Sequence, residues 1–281
     1  KESVILAAES SFHGRTYAAL SATGQPKYHN GFEPLLSGFR FFKFNETKSL
    51  NKVFDECFKD NLNICGILIE PIQGEGGVIP GDEEFFNLLR QLCDKHNSLL
   101  IFDEVQSGVG RTGKMWGYEN LNIEPDGLTI AKGLGGGHAI GAFLVNEKAN
   151  IFEPGDHAST FGGNPFACKA ALTVLQEIQR RSLLDNVVKR GKQLDLGLSK
   201  LLNAYSNLIL EKRGLGLLQG IVLKDKSLNA QTIIQRAFEK GLLLVPAGQN
   251  VVRIVPPLVI SRNEIKQILD ILNLIFKEIS T

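Results

Sequence analysis

Methionine and tryptophan occur once each and cysteine four times in 281 residues. Cys57, Cys65, Cys93 and Cys168 are too sparse for a disulfide scaffold and lack the paired spacing of a zinc site. A structural metal is therefore not expected, and the thiols read as reduced, in a cytoplasmic compartment. No apolar stretch approaches the roughly 18–20 residues that cross a bilayer, and the start shows no charged n-region followed by an apolar h-region. Charge of one sign is missing too. With 31 basic against 30 acidic side chains the formal charge is +1, so no summed field draws in nucleic acid or an anionic membrane. Small molecules, or a second copy of the chain, are the expected partners. Internal repeats and low-complexity linkers are also absent.

What is present is an ordinary core-forming composition, 43% hydrophobic and 22% charged, at a length suited to one large domain or two smaller ones. The chain opens with Lys1, and Ser3 to Ala8 already reads as a buried strand, so an N-terminal segment is expected to precede it. Short apolar runs alternate with helical patterns, the mark of βαβ units and an α/β fold with a mostly parallel sheet. Cys65 to Glu70 and Leu99 to Asp103 read as strands, with Phe85, Phe86, Leu89 and Leu92 at helical spacing between them in Glu83 to His96. Further strands are expected at Gly127 to Ala131 and Ile140 to Val145. Asn164-Pro165 reads as an N-cap and first helical residue, opening a helix to about Arg180. From about Leu184 a long helical pattern is followed by short strands near Ile209, Gly220 to Leu223 and Val251 to Val255. Ser261 and Glu264 then form a capping-box pattern before a helix with Ile265, Ile268, Leu269, Leu272 and Phe276 on one face. This divides the chain into a large domain, 1–184, and a smaller α+β domain, 185–281.

Lys132 ends an apolar run and faces the glycines at 133, 135, 136 and 137. Glycines remove side chains from one wall and let a planar ligand approach backbone. In a dry pocket desolvation lowers a lysine pKa and yields a nucleophilic amine, so a Schiff base with a carbonyl cofactor is the natural product. Asp103, Glu104, Val105 and Gln106 follow Leu100-Ile101-Phe102 at the carboxyl end of a buried strand, where open α/β sheets place ligands. A buried aspartate facing a pyridine nitrogen would hold it protonated, the electron sink that pyridoxal phosphate chemistry requires. The alternative for these acids is loop capping. Phe12-His13-Gly14-Arg15-Thr16 offers an aromatic face and a guanidinium fork suited to a carboxylate; the alternatives are a core phenylalanine and a structural histidine. Glu75 and Arg253 form a second possible pair, or are two surface charges. Ser159-Thr160 offers hydroxyls before a helix N-terminus. Gly108 to Gly113 lacks the spacing and the strand-to-helix context of a dinucleotide fingerprint.

Five segments together, Phe12 to Thr16, Glu70 to Gly77, Asp103 to Gly113, Ala131 to Gly137 and Ser159 to Pro165, resemble the class III pyridoxal-phosphate aminotransferases, in family order and over essentially the whole chain. Within that class, the stretch from Phe12 to Pro34 looks most like members acting on N-acetylornithine in arginine biosynthesis. The resemblance implies the fold type I architecture, pyridoxal 5'-phosphate as cofactor, an amino donor and 2-oxoglutarate as substrates, and a homodimer with shared active sites. It assigns the Schiff-base lysine to Lys132, the pyridine-nitrogen partner to Asp103 and a neighbour of the phenolic oxygen to Gln106. Phe12 would stack on the ring and Thr160 would reach the phosphate of the neighbouring subunit. Arg15 and Ser159 match substrate contacts, and Glu75 and Arg253 match a pair that opens and closes to admit the two substrates in turn. Gly133 departs from the family's frequent alanine, His138-Ala139 from an apolar-proline pair, and the family's upstream serine-glycine-alanine phosphate cradle is not in the sequence. Alternatives are a class III enzyme acting on ornithine, succinylornithine or 4-aminobutyrate, and a non-catalytic subunit keeping the fold.

Overall fold

A computed structural model describes residues 2–224 and 228–280. The chain forms two compact units. The first comprises residues up to Pro71, Gly81–Val109 and Trp116–Gln176; the second takes Ile72–Pro80, Gly110–Met115 and everything from Glu177 on. The division thus falls near 176, and two short pieces from the first half of the sequence fold with the C-terminal part.

In the first unit, strands β1 (Ser3–Ala8), β2 (Phe39–Phe42) and β3 (Asn63–Ile69) belong to a six-stranded sheet. A small hairpin, β4 (Ile72–Gln73) and β5 (Ile79–Pro80), comes next in the chain and belongs to the second unit. The sheet is completed by β6 (Leu99–Asp103), β7 (Gly127–Ile130) and β8 (Ala142–Val145), in the order β2-β1-β3-β6-β7-β8. All neighbours are parallel except β7 and β8. Val4, Leu6, Ile67, Ile69, Leu100 and Phe102 are buried, giving the near-continuous apolar runs of strands covered on both faces. Helices α1 (Tyr17–Ala22), α2 (Thr47–Lys59) and α3 (Glu83–His96) lie between these strands in the chain. Helix α4 (Pro165–Arg180) begins where Asn164 Oδ1 accepts the Ala167 amide at 2.9 Å, an N-cap with proline at the first helical position.

The second unit has helices α5 (Leu183–Ala204), α6 (Ala230–Glu239) and α7 (Arg262–Ser280). Its antiparallel sheet consists of β9 (Ile209–Leu215), β10 (Leu218–Leu223), β11 (Val245–Ala247) and β12 (Val251–Ile254), ordered β11-β12-β10-β9. Ser261 and Glu264 close a reciprocal capping box: the Ser261 amide donates to Glu264 Oε2 at 2.7 Å, and the Glu264 amide donates to Ser261 Oγ at 3.2 Å. Ile265, Ile268, Leu272 and Phe276 of α7 then bury against Ile221, Val252 and Ile254 of the sheet and Leu194 and Leu198 of α5. Each such side chain contributes roughly 1.5–3 kcal/mol. The opposite face of the sheet carries a smaller cluster of Leu218, Val222 and Val251 with Ile72 and Val78 of the β4–β5 hairpin. Among the described residues no helix is long and apolar enough to cross a membrane.

Candidate active site

The parallel strands of the first unit deliver their chemistry at one edge. The chain passes from the end of β1 into the loop bearing Phe12, His13 and Arg15, from β3 into Glu70, and from β7 into Lys132, while β6 ends on Asp103 itself. This is the carboxyl edge, where open α/β sheets bind ligands. Asp103 is in register with Thr129, three residues before Lys132, so the two residues named for the cofactor stand at the ends of neighbouring strands, Lys132 just past β7.

Asp103 is held on both oxygens. Its Oδ1 accepts the Val105 amide at 3.1 Å, and its Oδ2 lies 2.8 Å from His13 Nδ1. A carboxylate only accepts, so Nδ1 is the protonated ring nitrogen of that pair. The side chains are 7% and 1% exposed, respectively. His13 is therefore more than a satisfied core histidine: it fixes the carboxylate at the sheet's edge. Glu70, buried at the end of β3, accepts the Phe12 amide on Oε2 at 3.1 Å, and Thr23 Oγ1 accepts the His13 amide at 3.0 Å. These contacts fix where the Phe12 ring stands, edge-on to Tyr28 at 5.4 Å between centroids.

Glu104 is turned to a different task. Its oxygens accept Ser107 Oγ at 2.6 Å and the amides of Gly117 and Tyr118 at 2.9 and 2.7 Å, closing the loop that follows β6. Burial pushes its carboxyl up against the pull of these hydrogen bonds. Val105 and Gln106 are half-buried in that loop. Arg15 is exposed, with its guanidinium 4.3 Å over the Tyr28 ring and 5.4 Å from that of Phe12, so it meets an aromatic face rather than a carboxylate of the chain. Ser159 and Thr160 stand in an exposed stretch, where Ser159 Oγ accepts the Gly162 amide at 3.0 Å. Gly108 to Gly113 forms turns and opens no helix.

Lys132 occupies the left-handed region at φ 43°, a conformation that costs a non-glycine residue and concentrates at functional positions. Within this chain it is exposed. The reason lies in its surroundings: Gly133, Gly136 and Gly137 provide no cover, and Ala142, Phe143 and Leu144 of β8 are exposed as well. At Gly133 an added Cβ would meet only Val109, at 3.8 Å, so the alanine frequent in class III sequences has room. The ring of His138 packs edge-on against Phe166 at 4.7 Å.

The remaining pair belongs to the second unit. Arg253 Nη1 lies 2.8 Å from Glu75 Oε1, with side chains 10% and 25% exposed, so the two are a partly buried ion pair and not surface charges. In the same unit Arg111 Nη1 donates to the carbonyls of Leu217 and Pro256, and burial lowers its pKa to about 10.

The model of the family described as "Aminotransferase class-III" matches residues 1–276. This chain is a class III aminotransferase. An acetylornithine aminotransferase of Prochlorococcus marinus subsp. pastoris is 68% identical over 278 residues, covering 99% of this chain and 67% of that protein. The ornithine aminotransferase of Toxoplasma gondii superposes with a TM-score of 0.92 at 29% identity, covering 100% of this chain and 66% of the other. An amine transaminase from an uncultivated Pseudomonas species, solved in its pyridoxal-phosphate-bound form, gives 0.88 at 29% identity, over 98% of this chain and 69% of its own. The chain thus spans about two thirds of the length of its relatives. The family's cofactor is pyridoxal phosphate, and the residues at the sheet's edge fit it. Asp103 is a fixed, buried acceptor suited to a protonated ring nitrogen, Phe12 supplies a positioned aromatic ring, and Lys132 supplies an amine at the end of the next strand.

Proposed function

We propose that this class III aminotransferase moves the δ-amino group of N2-acetyl-L-ornithine to 2-oxoglutarate, giving N-acetylglutamate 5-semialdehyde and glutamate, a step of arginine biosynthesis. The observation that carries the reading is Asp103, clamped by His13 at 2.8 Å, one strand from Lys132. The 68% identity to an acetylornithine aminotransferase supports the choice of donor. Bound pyridoxal phosphate supplies a carbonyl that captures an amine and a protonated ring that accepts electrons. Asp103 would hold the proton on the ring nitrogen, and Phe12 would stack on the ring. Gln106 would neighbour the phenolic oxygen, while Glu104 and Val105 shape the loop beside it. Lys132 Nζ would take the proton from the donor's δ-carbon and deliver it to the carbon of the cofactor that had carried the carbonyl, acting as base and then acid. Arg15 and Ser159 bind a substrate carboxylate.

A site serving both substrates needs a second cation that can be masked, because N-acetylornithine carries one carboxylate and 2-oxoglutarate two. Arg253 is that cation and Glu75 its mask. The enzyme acts in the cytoplasm, consistent with its four free thiols, and as a homodimer in which Thr160 reaches the phosphate of the neighbouring site. Ile151, Phe152, Phe161 and Phe166 support a covering partner, being 76%, 63%, 82% and 70% exposed.

Replacing Lys132 with alanine should remove the visible absorption band of lysine-bound cofactor and lower the rate by several orders of magnitude. Adding N-acetylornithine to the unsubstituted holoenzyme should bleach the same band. An unchanged spectrum and rate in the variant would refute the role of Lys132, and a band that responds to ornithine or 4-aminobutyrate in preference would refute the donor.

A further inference from the structure

Arg213, Gly220 and Arg253 form one row across three strands of the small sheet, since Gly220 pairs with Arg213 on β9 and with Arg253 on β12. Residues directly opposite in an antiparallel ladder share a face. Here it is the face away from α5, α6 and α7: Leu218 and Val222, two positions from Gly220, pack with Val78, whereas Ile221 and Leu223 belong to the helix-covered core. The turn from Gly74 to Val78 settles on this row. A Cβ at Gly220 would stand 3.1 Å from that of Val78, so the absent side chain lets the turn descend between the two arginines.

Three contacts hold the turn. Arg253 pairs with the Glu75 carboxylate at 2.8 Å, the Gly248 amide donates to the Glu75 carbonyl at 2.7 Å, and Arg213 Nε donates to the Gly77 carbonyl at 2.7 Å. Arg213 is itself tethered, its Nη1 lying 2.8 Å from Glu211 Oε1. The turn requires such anchoring because Val78 sits at φ 57°, a left-handed conformation that a β-branched residue adopts only under constraint.

We propose that Arg213 is a positioning residue for substrate selection: by holding the Gly77 carbonyl it keeps the turn seated, so that Glu75 leaves and rejoins Arg253 by side-chain rotation alone. This rests on the reading of Glu75 and Arg253 as a maskable cation. The carboxylate of Glu75 competes with a substrate carboxylate for Arg253, and its local concentration there depends on how firmly the turn is seated. A loosened turn lowers that concentration, and dicarboxylates then reach Arg253 in the half-reaction that N-acetylornithine should dominate.

The test uses the holoenzyme with Arg213→Gln, Arg213→Lys, Glu211→Gln and Glu75→Gln. Two quantities are read: the ratio of half-reaction rates with glutamate and with N-acetylornithine as donor, and the calorimetric affinity for glutarate, a dicarboxylate that cannot react. Arg213→Gln should move both toward the dicarboxylate, on the order of tenfold, the size of one hydrogen bond from a charged group. Glu75→Gln should move them further in the same direction. Arg213→Lys, which keeps a donor for Gly77, should recover most of the change. Glu211→Gln, which keeps the Gly77 contact itself, should give a smaller shift and serves where Arg213→Gln does not fold. If Glu75→Gln shifts both quantities and the Arg213 and Glu211 variants shift neither, the role of Arg213 is overturned. An equal loss for both donors would overturn it too, as general damage. If Glu75→Gln itself changes nothing, the masking on which the proposal rests is what fails.

Discussion

A carboxylate that must stay fixed at a strand's end needs a proton donor beside it, and at Asp103 that donor is the His13 ring, buried and 2.8 Å away. Removing it with His13→Phe should weaken pyridoxal phosphate binding about tenfold, the worth of one hydrogen bond to a charged group, as read by absorbance titration of the apoenzyme. His13→Asn keeps a donor and should recover part of the loss; equal affinity in all three proteins would refute the role. At this scale the sequence was legible where chemistry follows strand ends. Apolar runs mark where β6 and β7 stop, so Asp103 and Lys132 stood out. His13 did not, because its partner lies 90 residues away and no local pattern announces it. Arg213 was missed for the same reason: its acceptor, the Gly77 carbonyl, is 136 residues distant.

Elements were legible in proportion to their length and periodicity. Helix α3 and strands β1 and β6 stand at the bounds their patterns predict, whereas β2 is four residues with one fully buried, too short for a period to register. What ties the site-bearing strands together is also nonlocal. Asp126, just before β7, accepts the Leu100 amide of β6 at 2.8 Å, Arg90 of α3 at 3.0 Å and Asn146 Nδ2, beyond β8, at 3.2 Å. Burial pushes its carboxyl up, but these three partners and the charge of Arg90 outweigh burial and hold it below the ordinary aspartate range. A depressed native pKa means that the unfolded chain binds more protons in acid, so the stabilisation is present above the unfolded pKa and lost as pH falls through the native one. Asp126→Asn should therefore cost about 1–3 kcal/mol near neutral pH, by urea denaturation. The gap to the unsubstituted protein should narrow as pH falls below about 4. A gap that is constant down to strongly acid pH would exclude the ionised carboxylate as its source.

For the molecule as a whole, the least legible feature is the interleaving of its two units. The hairpin Ile72–Pro80 and the loop Gly110–Met115 fold with the C-terminal unit, although each follows a strand of the first within a few residues. No composition shift marks either departure, and a single cut near 184 cannot express them. The proposed homodimer was reachable only through the family resemblance, and one exposed apolar stretch supports it. Residues 151–163 are exposed throughout, and Phe161, 82% exposed, directly follows Thr160. Large apolar side chains gathered in one exposed stretch are what the proposed partner would cover. If the same stretch brings Thr160 to the neighbour's phosphate, dimerisation and cofactor retention are linked: each site loses a phosphate contact when the partner leaves. Phe161→Asp combined with Phe166→Asp should shift the sedimentation coefficient from dimer to monomer at micromolar concentration and raise the dissociation constant for pyridoxal phosphate in parallel. Thr160→Val should raise that constant while leaving the dimer intact. A monomer that holds the cofactor as tightly as the dimer would separate the two properties and remove Thr160 from the shared site.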